Sequence, residues 1–291
     1  GKPVLKNFIK LDREIQIMNL SRSEGSDDIE IKDHVHWLKC DLSDQETYIM
    51  QVTAFAPDVV IHLAWEGIPN FSLQQCMKNI TASIRLLEVV TSLTSCKKII
   101  VTGSCFEYSN KLGACKEIDK ALPKDYFTFA KKAIFSFLEL ESNKRSITYC
   151  WARLFYVYGP NQRNGSLIPM LIDTLKKAKI PDLRTPKNAN DFIHVSDVAE
   201  GILNMGTKKV SSGIYNLGSG ISTPVTEISN MVELSLLKTS SLTSQLIENT
   251  ITTEKSVDFW AEMGKTKKAI DWSPKISLSV GISKLLENQN K

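Results

Sequence analysis

Three short apolar runs constrain this chain more than any other feature. VVIH at 59–62 follows a Pro-Asp pair, KKIIVTGS at 97–104 breaks into small residues at Thr102, Gly103 and Ser104, and ITYCWARLF spans 147–155. Runs of this length that are apolar on both faces suit strands covered on both sides. Longer amphipathic stretches separate them. Residues 73–94 carry Met77, Ile80, Ile84, Leu87 and Val90 at helical spacing, and YFTFAKKAIFSFLEL (126–140) carries Lys131 near its first turn. This alternation predicts βαβ units, a parallel sheet and right-handed crossovers: an α/β, Rossmann-like doubly wound fold.

The flanking segments extend the pattern. GKPVLKNFIK reads as a helix, EIQIMNLSRS (14–23) as a strand, and 24–34 as an acidic loop. HWLKCDLSD (36–44) reads as a strand ending at Asp41, with Ser43 placed to cap the next helix. Beyond Gly159 the texture changes. A helix is expected over 166–179, irregular chain over 181–192, a helix from near Ser196 to 205 and a short strand at 214–219. A helix over 224–238, a polar loop with a little strand over 239–253 and a final amphipathic helix complete the chain. The expected division is a dinucleotide-type domain over 1–158 and a smaller mixed α/β substrate lobe over 159–291, with 189–214 packing back on the first. GSGIS (218–222) reads as a turn in that lobe.

Ligands of such sheets lie outside the carboxyl ends of the strands. That rule gathers Ser21 and Arg22, Asp41, Ala64 and Trp65, Ser104, and Phe155 to Tyr158 at one cleft. A hydroxyl at 104 and an ammonium at 131 meeting there are the candidate reactive pair.

Composition excludes several classes. Among 291 residues, 42% are hydrophobic and 23% charged, so wholesale disorder is excluded. The net charge of +4, from 36 basic and 32 acidic residues without long like-charge runs, points to neither nucleic acid nor a membrane surface as a partner. No apolar stretch reaches the ~20 residues that span a bilayer. Six dispersed cysteines without CxxC spacing read as reduced thiols of a cytoplasmic protein. His34 and His36 share a strand face but lack further ligands, so no metal site is expected. His62 and His194 read as buried, hydrogen-bonded structural histidines.

The ordered set CDLSD (40–44), PDVVIHLAW (57–65), Asn79, TGSCFEY (102–108), FTFAKK (127–132), ARLFYVYGPNQ (152–162), DFIHVSDVA (191–199), YNLGSG (215–220) and WSP (272–274) resembles the extended short-chain dehydrogenase/reductases. These are the NAD(P)-dependent nucleotide-sugar epimerases, dehydratases and 4-ketoreductases. The resemblance implies a cofactor in the amino-terminal domain, a nucleotide sugar in the carboxy-terminal lobe and a homodimer through the two long helices. By it, Asp41 and Leu42 flank an adenine, and Leu63, Ala64 and Trp65 line the cofactor groove with Asn79 nearby. The Phe155–Val157 backbone approaches the nicotinamide. On the substrate side stand Trp65 and Glu66, Cys105 and Phe106, Asn161, and Tyr156 where many relatives carry a substrate-contacting asparagine; Asn190 stands where the family has an arginine on the sugar diphosphate, with Arg184 or Arg163 as its substitute. Arg22, beside Ser21, has its own argument: an arginine at the end of the second strand suits a 2′-phosphate, which favours NADP, with NAD as the alternative.

The family's chemistry needs a tyrosine acid/base, a lysine four residues later to lower its pKa, and a serine or threonine on the substrate oxygen. Ser104 and Lys131 fit. The tyrosine position holds Phe127, with Tyr126 one place round the helix. An engineered substitution, a natural site using Tyr126 or another acid, and a protein that binds without turnover are all compatible with this. Cys105 and Phe106 stand where dehydratases carry an Asp-Glu pair. Gly1 fits the last glycine of a GxxGxxG phosphate loop, and the rest of that fingerprint is absent from the sequence. The reading is an NADP-dependent 4-keto-6-deoxy sugar reductase, with an epimerase or dehydratase, or a silent dinucleotide-binding protein, as the alternatives.

Overall fold

The structure is a computed structural model that describes residues 1–11, 14–23, 25, 31, 34–109, 112–183, 185–248 and 257–289. Its main sheet is parallel, in the order β3 (Val59–His62), β4 (Lys98–Ser104), β6 (Thr148–Leu154) and β9 (Gly213–Leu217). Ile100 pairs with Cys150, and Cys150 with Gly213. Successive residues of β4 serve opposite faces, which is why the run is apolar throughout. Ile99 and Val101 pack under α3 (Leu73–Ser92) and α4 (Tyr126–Arg145) with Ile80, Leu87, Ile134 and Leu138. Ile100 faces α6 (Val195–Thr207) with Val198, Ile202 and Met205. The first helix, α1 (Lys2–Leu11), also lies on that face, where Phe8 approaches Gly206 so closely that a Cβ there would crowd its ring.

A separate parallel pair, β1 (Ile17–Ser21) and β2 (Val35–Lys39), carries Leu20 and Leu38 into the α3–α4 core. A short α2 (Ile49–Phe55) follows. Ser43 does not cap it. Its N–H and hydroxyl donate back to Asp41 at 2.9 and 2.8 Å, and the intervening 3-10 turn starts at Gln45. Most of the expected acidic loop, including Glu24, lies outside the described residues.

The second sheet runs β10 (Ser222–Pro224), β8 (Ala189–His194), β11 (Asp258–Ala261) and β5 (Leu112–Cys115), with β7 (Tyr156–Tyr158) joined to β8. Its strands have three to six residues, and β11 and β5 pair across more than a hundred residues, a non-local pairing with little imprint on local pattern. The segment expected to be irregular, 181–192, is so up to Asn188 among the described residues, and only its end, from Ala189, enters β8. Asp191, fully buried, pins this sheet to the glycine turn: it accepts from Ser219 N–H and hydroxyl at 2.6 Å, from Gly220 at 2.8 Å and from Ala261 at 3.0 Å. Against this sheet pack α5 (Leu167–Leu175), α7 (Val225–Leu237) and α10 (Leu278–Gln289), whereas α9 (Gly264–Ile270) lies on β9 and α6.

Residues 241–248 form a helix, α8, where polar loop and strand were expected. Its Ser- and Thr-rich sequence is a weak helix former, and a tertiary contact supplies the start: buried Glu233 accepts from the N–H groups of Leu242 and Thr243 at 2.9 and 2.8 Å. Helix α6 packs on α1, and β9 pairs with β6.

Candidate active site

The carboxyl ends of β1, β2 and β3 open on a groove of about 330 Å³. Ser21 and Arg22 enter from β1, Asp41 and Leu42 from the turn after β2, and Leu63, Ala64, Trp65 and Glu66 from the loop after β3. Asn79 on α3 also lines it. Asp41 is held below the usual carboxylate range, first by the Ser43 N–H and then by its hydroxyl, with smaller help from Lys78 and Arg22. Asn79 clamps the peptide of Glu66, accepting from its N–H at 2.8 Å and donating to its carbonyl at 3.0 Å. The Glu66 carboxylate receives Arg22 Nη1 at 2.9 Å and Lys78 Nζ at 3.0 Å. Glu66 thus faces the β1 end of the groove.

His62, Ala64, Trp65 and Ser83 continue from this groove to a closed pocket at the end of β4. There Lys131, 6% exposed, donates to the Thr102 carbonyl at 2.8 Å and lies 4.2 Å from the centre of the Trp65 ring. Burial lowers its pKa to about 8, against the opposing pull of Glu107. An ammonium under an indole face retains cation–π stabilisation while losing water. His62 is neutral: burial, then the Lys131 charge, lowers its pKa to about 4, and its Nε2 pairs with Ser83 Oγ at 2.9 Å.

Ser104, two residues past Thr102, ends β4 half-buried, and its Oγ accepts from Phe106 N–H at 3.2 Å. Its own N–H donates to Glu107 Oε1 at 2.7 Å. Glu107 also accepts from Trp151 Nε1 at 3.0 and 3.1 Å and from Arg153 Nε at 3.2 Å, all within the core. Gly103 permits this: a Cβ there would overlap the Trp151 indole and the Glu107 carboxylate. The Ser-x-x-Glu spacing of 104–107 is a capping-box signature that marks Glu107 in the sequence. Thr102 and Lys78 carry no such mark.

Phe127, not Tyr126, turns inward, against the Trp65 that lines this pocket. Asp125 caps α4 through Thr128 and fixes the helix phase. Phe127 is buried with its ring 5.0 Å from Trp65, 4.8 Å from Phe71 and 6.3 Å from Phe106, and 5.8 Å from Lys131 Nζ. Tyr126, at the first position of α4, is 52% exposed.

The remaining expected residues lie apart from the groove. Phe155 is in the core, its N–H bonded to Leu217, and Val157 sits within β7. Tyr156 packs on Phe106 at 5.8 Å and Phe192 at 5.3 Å, with Cys105 buried behind. Asn161 and Arg163 are exposed in the loop after β7. Asn190 is buried within β8 between Thr223 and Phe259, strand positions that no local pattern marks. Arg184 lies outside the described residues. Gly1 precedes α1, its carbonyl accepting from Val4 and Leu5. His194, buried, accepts from Ser196 N–H through Nδ1. All six cysteines are buried and none is in a disulfide, and no described helix is long and apolar enough to cross a membrane.

The site's residues fit a dinucleotide: a polar groove lies across parallel strand ends, with a carboxylate and two cations at one end and a buried ammonium at its foot. The chain belongs to the NAD dependent epimerase/dehydratase family, whose model matches residues 1–218. Among curated proteins it is similar to the dTDP-4-dehydro-6-deoxyglucose reductase of Escherichia coli, 23% identical across 99% of this chain and 93% of the relative. Among solved structures it resembles the UDP-N-acetylglucosamine 4-epimerase of Bacillus cereus (TM-score 0.83, 18% identity, 100% of this chain and 96% of that one). It also resembles the UDP-glucuronic acid 4-epimerase of Bacillus cereus in complex with NAD (TM-score 0.79, 19% identity, 99% and 96%).

Proposed function

We propose that this chain reduces the 4-keto group of a nucleotide-activated 6-deoxyhexose with NADPH. The observation that carries the reading is the pairing at the end of β4: a buried Lys131 ammonium on the Thr102 carbonyl, two residues before the Ser104 hydroxyl. The similarity to a reductase over nearly the whole chain supports it. Cys105 and Phe106, which offer no acid pair after Ser104, argue against a dehydratase. Arg22 at the end of β1 favours NADP over NAD.

When bound, the nicotinamide supplies a hydride. Asp41, Leu63 and Trp65 would seat the dinucleotide, and Lys131 would hold its ribose with the N–H bonds not given to Thr102. Ser104 Oγ accepts from Phe106, which leaves its O–H to donate to the substrate oxygen. The Lys131 charge, in a water-poor pocket, stabilises negative charge developing there. Phe127 cannot give a proton, so the proton comes from solvent through the Ser104 hydroxyl. Tyr156 and Phe106 form the wall on the sugar side. A homodimer in the cytoplasm completes the reading, with Met77, Phe129 and Leu140 exposed along α3 and α4.

The burial of Phe127 among three aromatic rings favours one second reading, a chain that binds dinucleotide without turnover. NADPH consumption on a panel of 4-keto-6-deoxy nucleotide sugars separates the two. The reductase reading expects turnover that falls at least roughly a hundredfold in Lys131→Ala. NADPH binding with no turnover on any sugar supports the second.

A further inference from the structure

Beyond Arg22, the groove carries a second cation and an anion that its cofactor role does not by itself require. Lys78 on α3 and Arg22 at the end of β1 come from elements far apart in the chain, yet both grip the Glu66 carboxylate, at 3.0 and 2.9 Å. The peptide of Glu66 is fixed by Asn79 on both its N–H and its carbonyl, and Gln75 donates to the same carbonyl at 3.3 Å. The carboxylate is therefore aimed between the two cations by its backbone. One anionic group bridging an arginine and a lysine at the ribose end of an adenosine groove has the chemistry of a phosphate monoester bound there.

We propose that Arg22 and Lys78 form a two-cation seat for a phosphate on the adenosine ribose, and that Glu66 fills the seat until that phosphate displaces it. The inference rests on the dinucleotide reading of the groove and deepens it. A ribose without the phosphate leaves the Glu66 ion pairs in place, whereas a ribose 2′-phosphate must expel the carboxylate and then takes both cations. Glu66 therefore tempers the affinity for the phosphorylated cofactor, and Lys78 shares with Arg22 the discrimination between the two forms. The two pairs are solvent-exposed and weak, so the exchange is reversible at modest ligand concentration.

The test uses calorimetric binding of 2′,5′-ADP and 5′-AMP to the full chain and to two surface variants, Glu66→Gln and Lys78→Gln. Glu66→Gln is expected to bind 2′,5′-ADP roughly three- to tenfold more tightly with 5′-AMP unchanged, the scale of two exposed ion pairs. Lys78→Gln is expected to lose roughly fivefold or more for 2′,5′-ADP alone, the scale of one charge-assisted hydrogen bond. Equal tightening of both probes in Glu66→Gln overturns the seat and makes the pairs a strap across the groove. Weakening of 5′-AMP in Glu66→Gln also overturns it and makes Glu66 a ribose ligand. Failure of the unmodified chain to bind either probe overturns the dinucleotide reading itself, and the seat with it.

Discussion

At the scale of single residues, the site turns on what Phe127 and Lys131 can and cannot do. The Phe127 ring centre lies 5.8 Å from the Lys131 ammonium, and a phenol in its place would supply the acid that the pocket lacks. Phe127→Tyr is therefore expected to raise kcat on the preferred sugar roughly a hundredfold or more, with KM little changed. An unchanged kcat would show that the aromatic cluster, not the missing hydroxyl, sets the rate. Lys131 makes a second expectation. Its folded pKa of about 8 lies below its ordinary 10.5, so between these values the unfolded chain binds the extra proton and stability rises with pH. Relative to Lys131→Met, the unmodified protein should gain roughly 3 kcal/mol in denaturant unfolding as pH climbs through that window. A constant difference across it would mean the ammonium is not buried. Both side chains were legible in the sequence, because four residues on a helix define one face. That Tyr126 points outward was not, since it depends on where Asp125 caps the helix.

At the scale of elements, β4 and its 3-10 turn act as one unit with the neighbouring strand β6. Ser104, Trp151 and Arg153 all bond to Glu107, so the turn that presents the hydroxyl is fixed by a carboxylate three residues on. Glu107→Gln leaves the Arg153 guanidinium, 3% exposed, without its countercharge. Roughly 3–5 kcal/mol of stability should be lost, read from the denaturation midpoint. A loss under about 1 kcal/mol would mean that water already reaches Arg153. The strands of the main sheet could be read directly because both their faces are buried. Strands β5 and β11 could not, because four-residue segments paired across half the chain leave no periodic signal. Helix α8 was missed for the converse reason: Glu233, from another helix, supplies its start.

At the scale of the whole molecule, the parallel order β3–β4–β6–β9 brings the end of β4 beside the groove at the ends of β1, β2 and β3. Arg22, Asp41 and Trp65, expected together because ends of parallel strands converge, line that groove, as does Asn79, which only the family resemblance marked. The sequence did not place Asn190 within a strand of the second sheet, whose pairings are long-range. Trp65 lines the groove and stacks on the Lys131 ammonium. The account therefore requires a hydride carried along the groove to arrive at the sugar carbon next to Ser104. The most direct measurement follows that hydride: NADPH deuterated at the transferring position, a 4-keto-6-deoxy nucleotide sugar, and mass and NMR analysis of the product. The account predicts one deuterium at C4 of the sugar for each NADPH consumed. A sugar product without label and without net NADPH consumption would contradict it and make the chain an epimerase in action.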